Sequence, residues 1–265
     1  ILTLAAPTAL VSLLQIAAQL FETWLAAREG TAALAGWAVV LPFALLMQMT
    51  SAGAMGGGVS SAIARALGAE RRGEAAALVL HAAIIALAAA ALFAIPFLLA
   101  PRALLSTIGG AAAAEAAAPY AMWLFGAGAV PAWLANTLAS VLRGGGRHAL
   151  AARVLTLAWA GYPPLAYLLV APAGLGLAGL GIAFAAVFWI AAAAMGWVVL
   201  RGGAGFAPAL RIAPSRTMFG RILSVGLVAS ALALVANLTT ICVTANLAPQ
   251  GPAVVAAYGI SARLE

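Results

Sequence analysis

The stretch Ala75–Leu99 reads AAALVLHAAIIALAAAALFAIPFLL, 25 consecutive residues without an Asp, Glu, Lys or Arg. A helix rises about 1.5 Å per residue, so about 20 apolar residues cross a hydrocarbon core of about 30 Å. Lipid offers no hydrogen-bond partner for backbone N–H and C=O groups, so a spanning segment must satisfy them itself. The stretch therefore predicts a membrane-spanning α-helix.

The rest of the chain has the same character. It is 66% hydrophobic and 7% charged, with a mean hydropathy of +1.12, whereas soluble domains are about 45–50% apolar and about 25% charged. Its apolar runs do not alternate with polar residues as the strands of a membrane barrel do. We predict an all-α integral membrane protein. The predicted spans lie at about 3–25, 32–64, 75–99, 116–142, 149–170, 177–200 and 222–247, and an eighth begins near 253.

The basic residues predict the orientation. All thirteen are Arg, and ten of them fall in three alternate connections between spans. The positive-inside rule places these connections, and hence the N-terminus, in the cytoplasm. The net charge of +7 is then explained by topology, and no nucleic-acid partner is expected. The three clusters are Arg65, Arg71 and Arg72; Arg143, Arg147 and Arg153; and Arg201, Arg211, Arg216 and Arg221.

An internal repeat is visible when the chain is shifted by 221 residues. The shift places Gly30–Ala35 on Gly251–Ala256 without a gap, at the same point of a span-turn-span pattern. Six spans separate the copies, so the two halves would run in the same direction through the bilayer. The chain opens at Ile1 without an initiator Met and stops inside an apolar run, and we expect a piece of a protein with about twelve spans.

The repeat predicts a domain division. Residues 1–200 would form a six-helix lobe, and residues 222–265 the start of a second lobe. Residues 201–221, which are polar and contain Pro208 and Pro214, are predicted to be the cytoplasmic linker between them.

Four stretches carry a family resemblance. Gly53–Ser61 (GAMGGGVSS), with Ala66–Arg71 (ALGAER) after it, resembles the second-span signature of the MATE (multidrug and toxic compound extrusion) transporters. Three more stretches resemble the same family in order and spacing, so the resemblance covers essentially the whole chain. They are Leu142–Arg147 (LRGGGR), Gly174–Gly179 (GLGLAG) and Ala256–Ile260 (AAYGI).

The resemblance implies secondary transport. Such proteins export organic, commonly cationic, compounds, driven by a proton or sodium gradient, with alternating access between two lobes and no other cofactor. It also implies a monomer in the bacterial inner membrane. Members of the wider superfamily flip lipid-linked saccharides instead, and this alternative stays open.

The chain departs from the family pattern at two places. Where the family usually carries an Asp near the outer end of the first span, this chain has Glu22. Where the fifth span often carries an Asn and, four residues on, an Asp, this chain has Tyr162 and Ala166. A sodium site with several ligands is therefore in doubt, and Glu22 is the principal candidate for binding the coupling proton or cation.

Glu22 also stands out without the resemblance. It is the acidic residue most clearly inside a predicted span, where an ionisable group is by default a functional hypothesis. Gln15, Gln19 and Glu22 are spaced i, i+4 and i+7, so they share one face of the first helix and should face a cavity. The alternative is that Glu22 reaches along the helix towards Arg28 at the membrane interface.

Other polar and aromatic residues within spans are candidates for lining a substrate path. Aromatic faces near a carboxylate suit an organic cation, although polar side chains also join helices as purely structural contacts. His81 is expected to be a helix-edge or packed histidine, and Gly53 and Gly57 to allow a close helix crossing. The candidates for the path are Gln48, Asn136, Tyr162, Tyr167 and Asn237.

An intramembrane enzyme is the alternative from another class. The chain has no Asp, which excludes a two-aspartate protease within it, and no H-E-x-x-H zinc motif. Ser60 and Ser61 lie beside glycines, but a serine nucleophile needs a positioned base. We therefore expect a transporter; a receptor or scaffold remains a further alternative.

Overall fold

A computed structural model of the chain describes residues 2–261, and all regular structure among them is helical. Two π-helical turns, which are wider than α-helical ones, join α2 to α3 and α5 to α6; they are Met49–Ala54 and Met122–Ala127. The end of the predicted eighth span lies outside the described residues. The helices are α1 (Leu2–Arg28), α2 (Thr31–Gln48), α3 (Met55–Gly68), α4 (Arg72–Leu99), α5 (Pro101–Ala121), α6 (Ala129–Gly144), α7 (His148–Val170), α8 (Gly176–Leu200), α9 (Arg216–Leu247) and α10 (Pro252–Ser261).

The predicted all-α membrane fold is confirmed. Among the described residues, five helical segments are long and apolar enough to cross a membrane, and α5 and α6, which meet at a bend of 44°, make a sixth when they are taken together as one span. All six fall on predicted spans. The remaining predicted span, 149–170, coincides with α7, which has 23 residues and contains Arg153 as well as Pro163 and Pro164. The five segments are Thr8–Arg28, Thr31–Gly68, Arg72–Leu99, Gly176–Leu200 and Arg216–Gln250.

The fourth span was predicted to begin at 116, and this boundary is wrong. Its helix begins at Pro101, a residue suited to the first turn of a helix. A break follows at Gly110, whose φ of +77° is a conformation that glycine adopts readily. Arg102 and Glu115 form an exposed ion pair across this break, at 2.6 Å. The first turns carry Arg102, Ser106 and Thr107, and these polar residues hide the helix before Gly110 from a hydropathy analysis.

The helices pack so that α1, α2, α3, α5, α6, α7 and α8 surround a common interior. α1 lies against α7, α7 against α8, and α8 against α6, while α2 lies against α5 and α3 against α6. α9 and α10 pack on the outside of this group, α9 on α3 and α10 on α2. The interior therefore draws side chains from distant parts of the chain.

Two glycines support the predicted internal repeat. Gly30, before α2, has φ 105° and ψ 171°, and Gly251, before α10, has φ 104° and ψ 167°. These are the two glycines that the 221-residue shift pairs. A positive φ of this kind is costly for residues with a Cβ, so both copies of the turn require glycine for the same reason.

Residues 202–215 contain no helix and connect α8 to α9. The connection is held to the bundle, because the N–H of Ala209 donates to the carbonyl of Ala76 on α4 at 3.0 Å. α9 begins at Arg216, inside the predicted linker 201–221. The division into lobes stays a prediction.

Candidate functional site

Glu22 lies in the interior of the bundle, with 7% of its surface exposed. Its Oε1 accepts a hydrogen bond from Trp37 Nε1 on α2 at 3.0 Å. The hydroxyl of Tyr120, on α5, donates to the same oxygen. Three helices therefore fix this carboxylate, and both donors point at one oxygen atom.

Arg28 does not pair with this carboxylate. Its guanidinium lies over the ring of Trp24, 5.0 Å from the centroid, and no ion pair involving Glu22 occurs among residues 2–261. The side chain of Glu22 is turned towards Trp37 and Tyr120 instead. The geometry favours the interior position over the alternative in which Glu22 reaches for the interface.

Glu22 lines a small cavity of about 30 Å³, which is large enough for a water molecule. Apart from Glu22, no acidic or basic side chain lines it in the described part of the chain. Aromatic residues form much of its wall, which lowers the local polarity and makes the charge of the carboxylate more costly. The wall includes Gln19, Trp37, Gln48, Tyr120, Trp159 and Phe184.

A second, larger cavity of about 390 Å³ lies next along α1. It is more polar than the first, and its lining in the described residues contains no carboxylate. Gln48 and Trp159 line both cavities and therefore form the partition between them. The polar residues of the larger cavity are Thr8, Ser12, Gln15, Gln48, Ser60, Asn136, Arg143 and His148.

One face of α1 runs along both cavities. Gln15 lines the larger cavity, whereas Gln19 and Glu22 line the smaller one. The structure thus places all three on the interior face that their spacing indicated.

Gln48 and Asn136 meet at the partition. Asn136 Nδ2 lies 3.4 Å from Gln48 Oε1 and 2.9 Å from Ser51 Oγ, to which it donates. Gln48 Nε2 is buried and has no hydrogen-bond partner among the described residues. The structure brings both residues to the larger cavity.

Three other candidates do not line either cavity. Tyr162 is buried and packs edge-on against Trp159 and Phe184. Tyr167 is 40% exposed on the outer surface, a position that tyrosine commonly takes in membrane proteins. Asn237 joins α9 to the α2–α3 turn, because its Nδ2 contacts Met49 Sδ at 3.2 Å.

Several residues of the site were not among the sequence candidates. Trp37 and Tyr120 hold Glu22, and Trp159 separates the cavities. Arg143 was interpreted only as a cytoplasmic charge, and it lines the larger cavity. Tyr120 lies within the predicted fourth span, as other candidates lay within theirs, but nothing in the sequence pairs it with a residue 98 positions earlier.

The predicted close crossing at Gly53 and Gly57 is wrong. A Cβ added at either position would meet nothing within 4 Å, and both glycines line the larger cavity. The close contacts are made by their neighbours on the other sides of α3. A Cβ at Gly56 would lie 2.7 Å from Ser140 Oγ on α6, and one at Gly58 would lie 2.6 Å from the carbonyl oxygen of Ile222 on α9.

His81 is the packed histidine that was expected. It is fully buried, and its Nε2 accepts the N–H of Ser215, just before α9, at 2.8 Å. Its Nδ1 lies 2.8 Å from the carbonyl of Ala77, so the tautomer with the proton on Nδ1 satisfies both contacts. Nearby, Glu74 pairs with both Arg71 and Arg221. This cluster fastens the α8–α9 connection to α4.

No three His, Cys, Asp or Glu side chains come together as metal ligands anywhere in residues 2–261. Glu22 is the one acidic residue among the described residues that line its cavity.

Several known proteins are similar to this chain in sequence and in fold. The family model MatE matches residues 7–168. Two similar solved structures are of a multidrug resistance MATE family transporter of the MOP superfamily. The inward-facing one is 25% identical over 94% of this chain and 57% of the other, with a TM-score of 0.86. The outward-facing one is 26% identical over 89% and 52%, with a TM-score of 0.81.

A MOP superfamily transporter from Pyrococcus furiosus Vc1 (DSM3638) has the same fold, with 24% identity over 97% of this chain and a TM-score of 0.80. The chain spans 52 to 64% of the lengths of these three proteins. No curated protein sequence matches it.

Proposed function

The chain belongs to the MatE family, and we propose that it forms part of a membrane transporter that exports organic cations in exchange for protons. Structures similar to it are described as inward-facing and outward-facing. On this proposal, the interior of the bundle is exposed to each side of the membrane in turn.

The observation that supports the proposal most directly is the setting of Glu22. A buried carboxylate with no cationic partner is costly, and Glu22 has two hydrogen-bond donors but no ion pair among the described residues. Either a proton or an organic cation would neutralise it. Since one carboxylate holds only one of them at a time, binding of the first favours release of the second.

The residues around Glu22 offer a sodium ion little coordination, and this supports a proton as the coupling ion. Hard cations are bound by oxygen atoms, and a sodium ion at Oε1 would face the positive ends of the Trp37 N–H and the Tyr120 O–H. The positions of the family's Asn and Asp in the fifth span hold Tyr162 and Ala166, and Ala166 offers no side-chain ligand.

A single coupling carboxylate has an energetic consequence. If one proton enters for each monovalent cation that leaves, the exchange moves no net charge and the membrane potential does not drive it. The pH gradient alone supplies about 1.4 kcal/mol per unit, which sustains about a tenfold concentration ratio of the substrate. Protonation of Glu22 would also change the relative stability of the inward-open and outward-open packings.

The orientation and location are part of the same proposal. The Arg-rich connections lie at one end of the bundle, and the positive-inside rule assigns that end to the cytoplasm. We propose a multi-pass protein of the bacterial inner membrane, acting as a monomer, with its N-terminus in the cytoplasm.

Efflux from proteoliposomes tests the proposal. The full-length protein is reconstituted, loaded with ethidium, and given a proton or a sodium gradient with the membrane potential clamped at zero. We expect efflux under the proton gradient only, and its loss in Glu22→Gln. Glu29→Gln is the matched control, because Glu29 is an exposed carboxylate one residue after α1.

Two results would overturn the proposal. Normal coupled efflux by Glu22→Gln would remove Glu22 from the mechanism. If the wild-type protein moves no cation under either gradient, the hypothesis of a lipid-linked saccharide flippase is favoured instead. Translocation of a lipid-linked saccharide across the vesicle membrane is the assay for that function.

A further inference from the structure

Arg153 is a cation on the surface of a helix that coincides with a predicted span. It is the sixth residue of α7, and its side chain is exposed. Charged side chains within spans usually face the bundle interior or a water-filled cavity, but Arg153 lines neither of the two interior cavities. In the part of the chain that the structure describes, it forms no ion pair. Its charge is therefore open to a partner from outside the bundle.

An apolar groove of about 370 Å³ begins directly after Arg153, between α7 and α8. Its lining consists of aliphatic residues and one glycine, taken from Val154 to Leu165 on α7 and from Val187 to Ala194 on α8. Two large side chains of this lining are mostly exposed, Leu157 at 72% and Ile190 at 70%. The groove thus opens to the outer surface of the bundle, where hydrocarbon chains of the bilayer would fill it.

The groove has the depth of one lipid leaflet. Val154 and Leu165 are eleven residues apart, which corresponds to about 16 Å of helix, or about half of a hydrocarbon core of about 30 Å. One acyl chain lying along the helices would fill the groove from the Arg-rich end of the bundle to about the membrane centre. α9 and α10 pack on α3 and α2, so these two helices leave the groove open.

A second arginine lies at the same end of the groove, on α8. Residues 171–175 join α7 to α8, and the two helices pack side by side in opposite directions. Trp197 and Arg201 follow Ala194 by three and seven residues, a spacing that keeps all three on one helix face. Trp197 is 61% exposed, as is typical of tryptophan at a membrane interface. Arg201 makes no ion pair with any described residue.

The two arginine side chains lean towards the same level of the membrane. The guanidinium of Arg201 is turned back along α8 and lies over the Trp197 ring, 3.8 Å from its centroid. Side chains tilt towards the N-terminus of their helix, and for Arg153 this is the Arg-rich end, beyond the groove. A long side chain also carries its charge along apolar surface to the interface. Both cations therefore approach the position of a headgroup whose acyl chain occupies the groove.

We propose that the groove between α7 and α8 binds one anionic phospholipid, with an acyl chain in the groove and the phosphate at Arg153 and Arg201. Lipid tails pack against any apolar surface, so the groove sets the position of the lipid and the two arginines set its charge. Guanidinium groups form charge-assisted hydrogen bonds with phosphate oxygens. The site goes beyond the proposed function, because it depends neither on Glu22 nor on the transported substrate.

Photolabelling of the full-length protein in detergent tests the proposal. The probes are phosphatidylglycerol and phosphatidylcholine that carry the same diazirine group in one acyl chain, and the labelled peptides are identified by mass spectrometry. We expect labels on α7 and α8 along the groove, at a half-saturating concentration about 5- to 25-fold lower for phosphatidylglycerol. Each basic residue near an anionic headgroup contributes about a fivefold preference.

Substitutions test the charge and the groove separately. Arg153→Gln should reduce the preference for phosphatidylglycerol about fivefold. The matched control is Arg72→Gln, an exposed arginine that likewise lies at the start of a helix at the Arg-rich end. Gly161→Leu should reduce labelling by both lipids, because a Cβ at Gly161 meets nothing within 4 Å and the longer side chain would occupy the groove. Gly161→Ala should leave most of the groove open.

Three results would overturn the proposal. One is equal labelling of the groove by the two lipids, and another is a preference for phosphatidylglycerol that Arg153→Gln leaves unchanged. The third is a groove that takes up no label in a protein that elutes as a dimer, which would assign this surface to a second copy of the chain. Ethidium efflux by Glu22→Gln is measured independently, so failure of the transport proposal does not decide this test.

Discussion

Replacing Gly58 by Ala tests how α3 packs against α9. A Cβ at this position would lie 2.6 Å from the carbonyl oxygen of Ile222 and 3.0 Å from the amide nitrogen of Gly226. Both are backbone atoms of α9, so neither can rotate away. The added methyl group can be accommodated only if the two helices separate.

The neighbouring Gly57 provides the matched control, because a Cβ there would meet nothing within 4 Å. Both substitutions gain the same helix propensity, about 1 kcal/mol for Gly to Ala. Overpacking costs about 1–3 kcal/mol, and it applies to Gly58 alone. The difference between the two variants therefore isolates the packing cost, and we expect Gly58→Ala to be less stable than Gly57→Ala by about 1–3 kcal/mol.

The assay is thermal unfolding of the full-length protein in detergent, followed by fluorescence-detected size exclusion. We expect the apparent melting temperature to fall in Gly58→Ala and to stay equal or rise in Gly57→Ala. If both variants melt together, or if Gly57→Ala is the less stable one, the assignment of the close crossing to Gly58 is refuted.

Three further predictions concern the connection, the carboxylate and the topology. The amide of His81→Gln can accept from the Ser215 N–H and donate to the Ala77 carbonyl, as the histidine ring does, so this variant should keep residues 202–215 resistant to limited trypsin digestion. His81→Ala loses both contacts and should make these residues about as sensitive to trypsin as an open loop. Equal digestion of the two variants would contradict this. Trp37→Phe removes one donor to the buried carboxylate and should slow proton-driven ethidium efflux by about tenfold or more, since a hydrogen bond to a charged group contributes about 1.5–3 kcal/mol; unchanged efflux would contradict it. In a cysteine-free background, Glu29→Cys should react with an impermeant maleimide from outside the cell and Arg147→Cys only after permeabilisation; the reverse pattern would invert the proposed orientation.

Much of the fold could be predicted because it depends on local properties. The run Ala75–Leu99 is long and uncharged enough to cross a bilayer whatever surrounds it, and α4 (Arg72–Leu99) follows it closely. The turn glycines Gly30 and Gly251 could be paired because a positive φ restricts the choice of residue. Hydropathy failed before Gly110, where polar residues in the first turns of α5 hide the helix.

The faces of the helices were harder to predict. In a membrane protein both the lipid-facing and the core-facing sides are apolar, so hydrophobic periodicity does not tell which way a helix is turned. The spacing of Gln15, Gln19 and Glu22 gave the interior face of α1 because those residues are polar. Gly53 and Gly57 have the i, i+4 spacing of a helix-crossing motif, yet they face a cavity. Whether such glycines face a neighbouring helix or a cavity depends on where α6 and α9 lie, which the spacing does not reveal.

The remaining site residues depend on contacts between distant segments. Tyr120 contacts Glu22 although the two residues are 98 positions apart in the sequence. Arg143 lies at the end of α6, and the direction of α6 depends on its bend of 44° relative to α5, so the sequence alone does not place Arg143 in the larger cavity. The sequence analysis used Arg143 only to predict the topology. An arginine at the end of a span fits the positive-inside pattern whether it faces the cytoplasm or lines a cavity.

The measurement that tests the central claim most directly counts protons during substrate binding. The claim is that Glu22 holds either a proton or an organic cation. The full-length protein, in weakly buffered detergent with a pH indicator, is titrated with tetraphenylphosphonium, a permanent cation that brings no titratable proton. We predict that at acidic pH each bound cation displaces up to one proton from the wild-type protein and none from Glu22→Gln. Binding without proton release at any pH, or equal release by the variant, would contradict the claim.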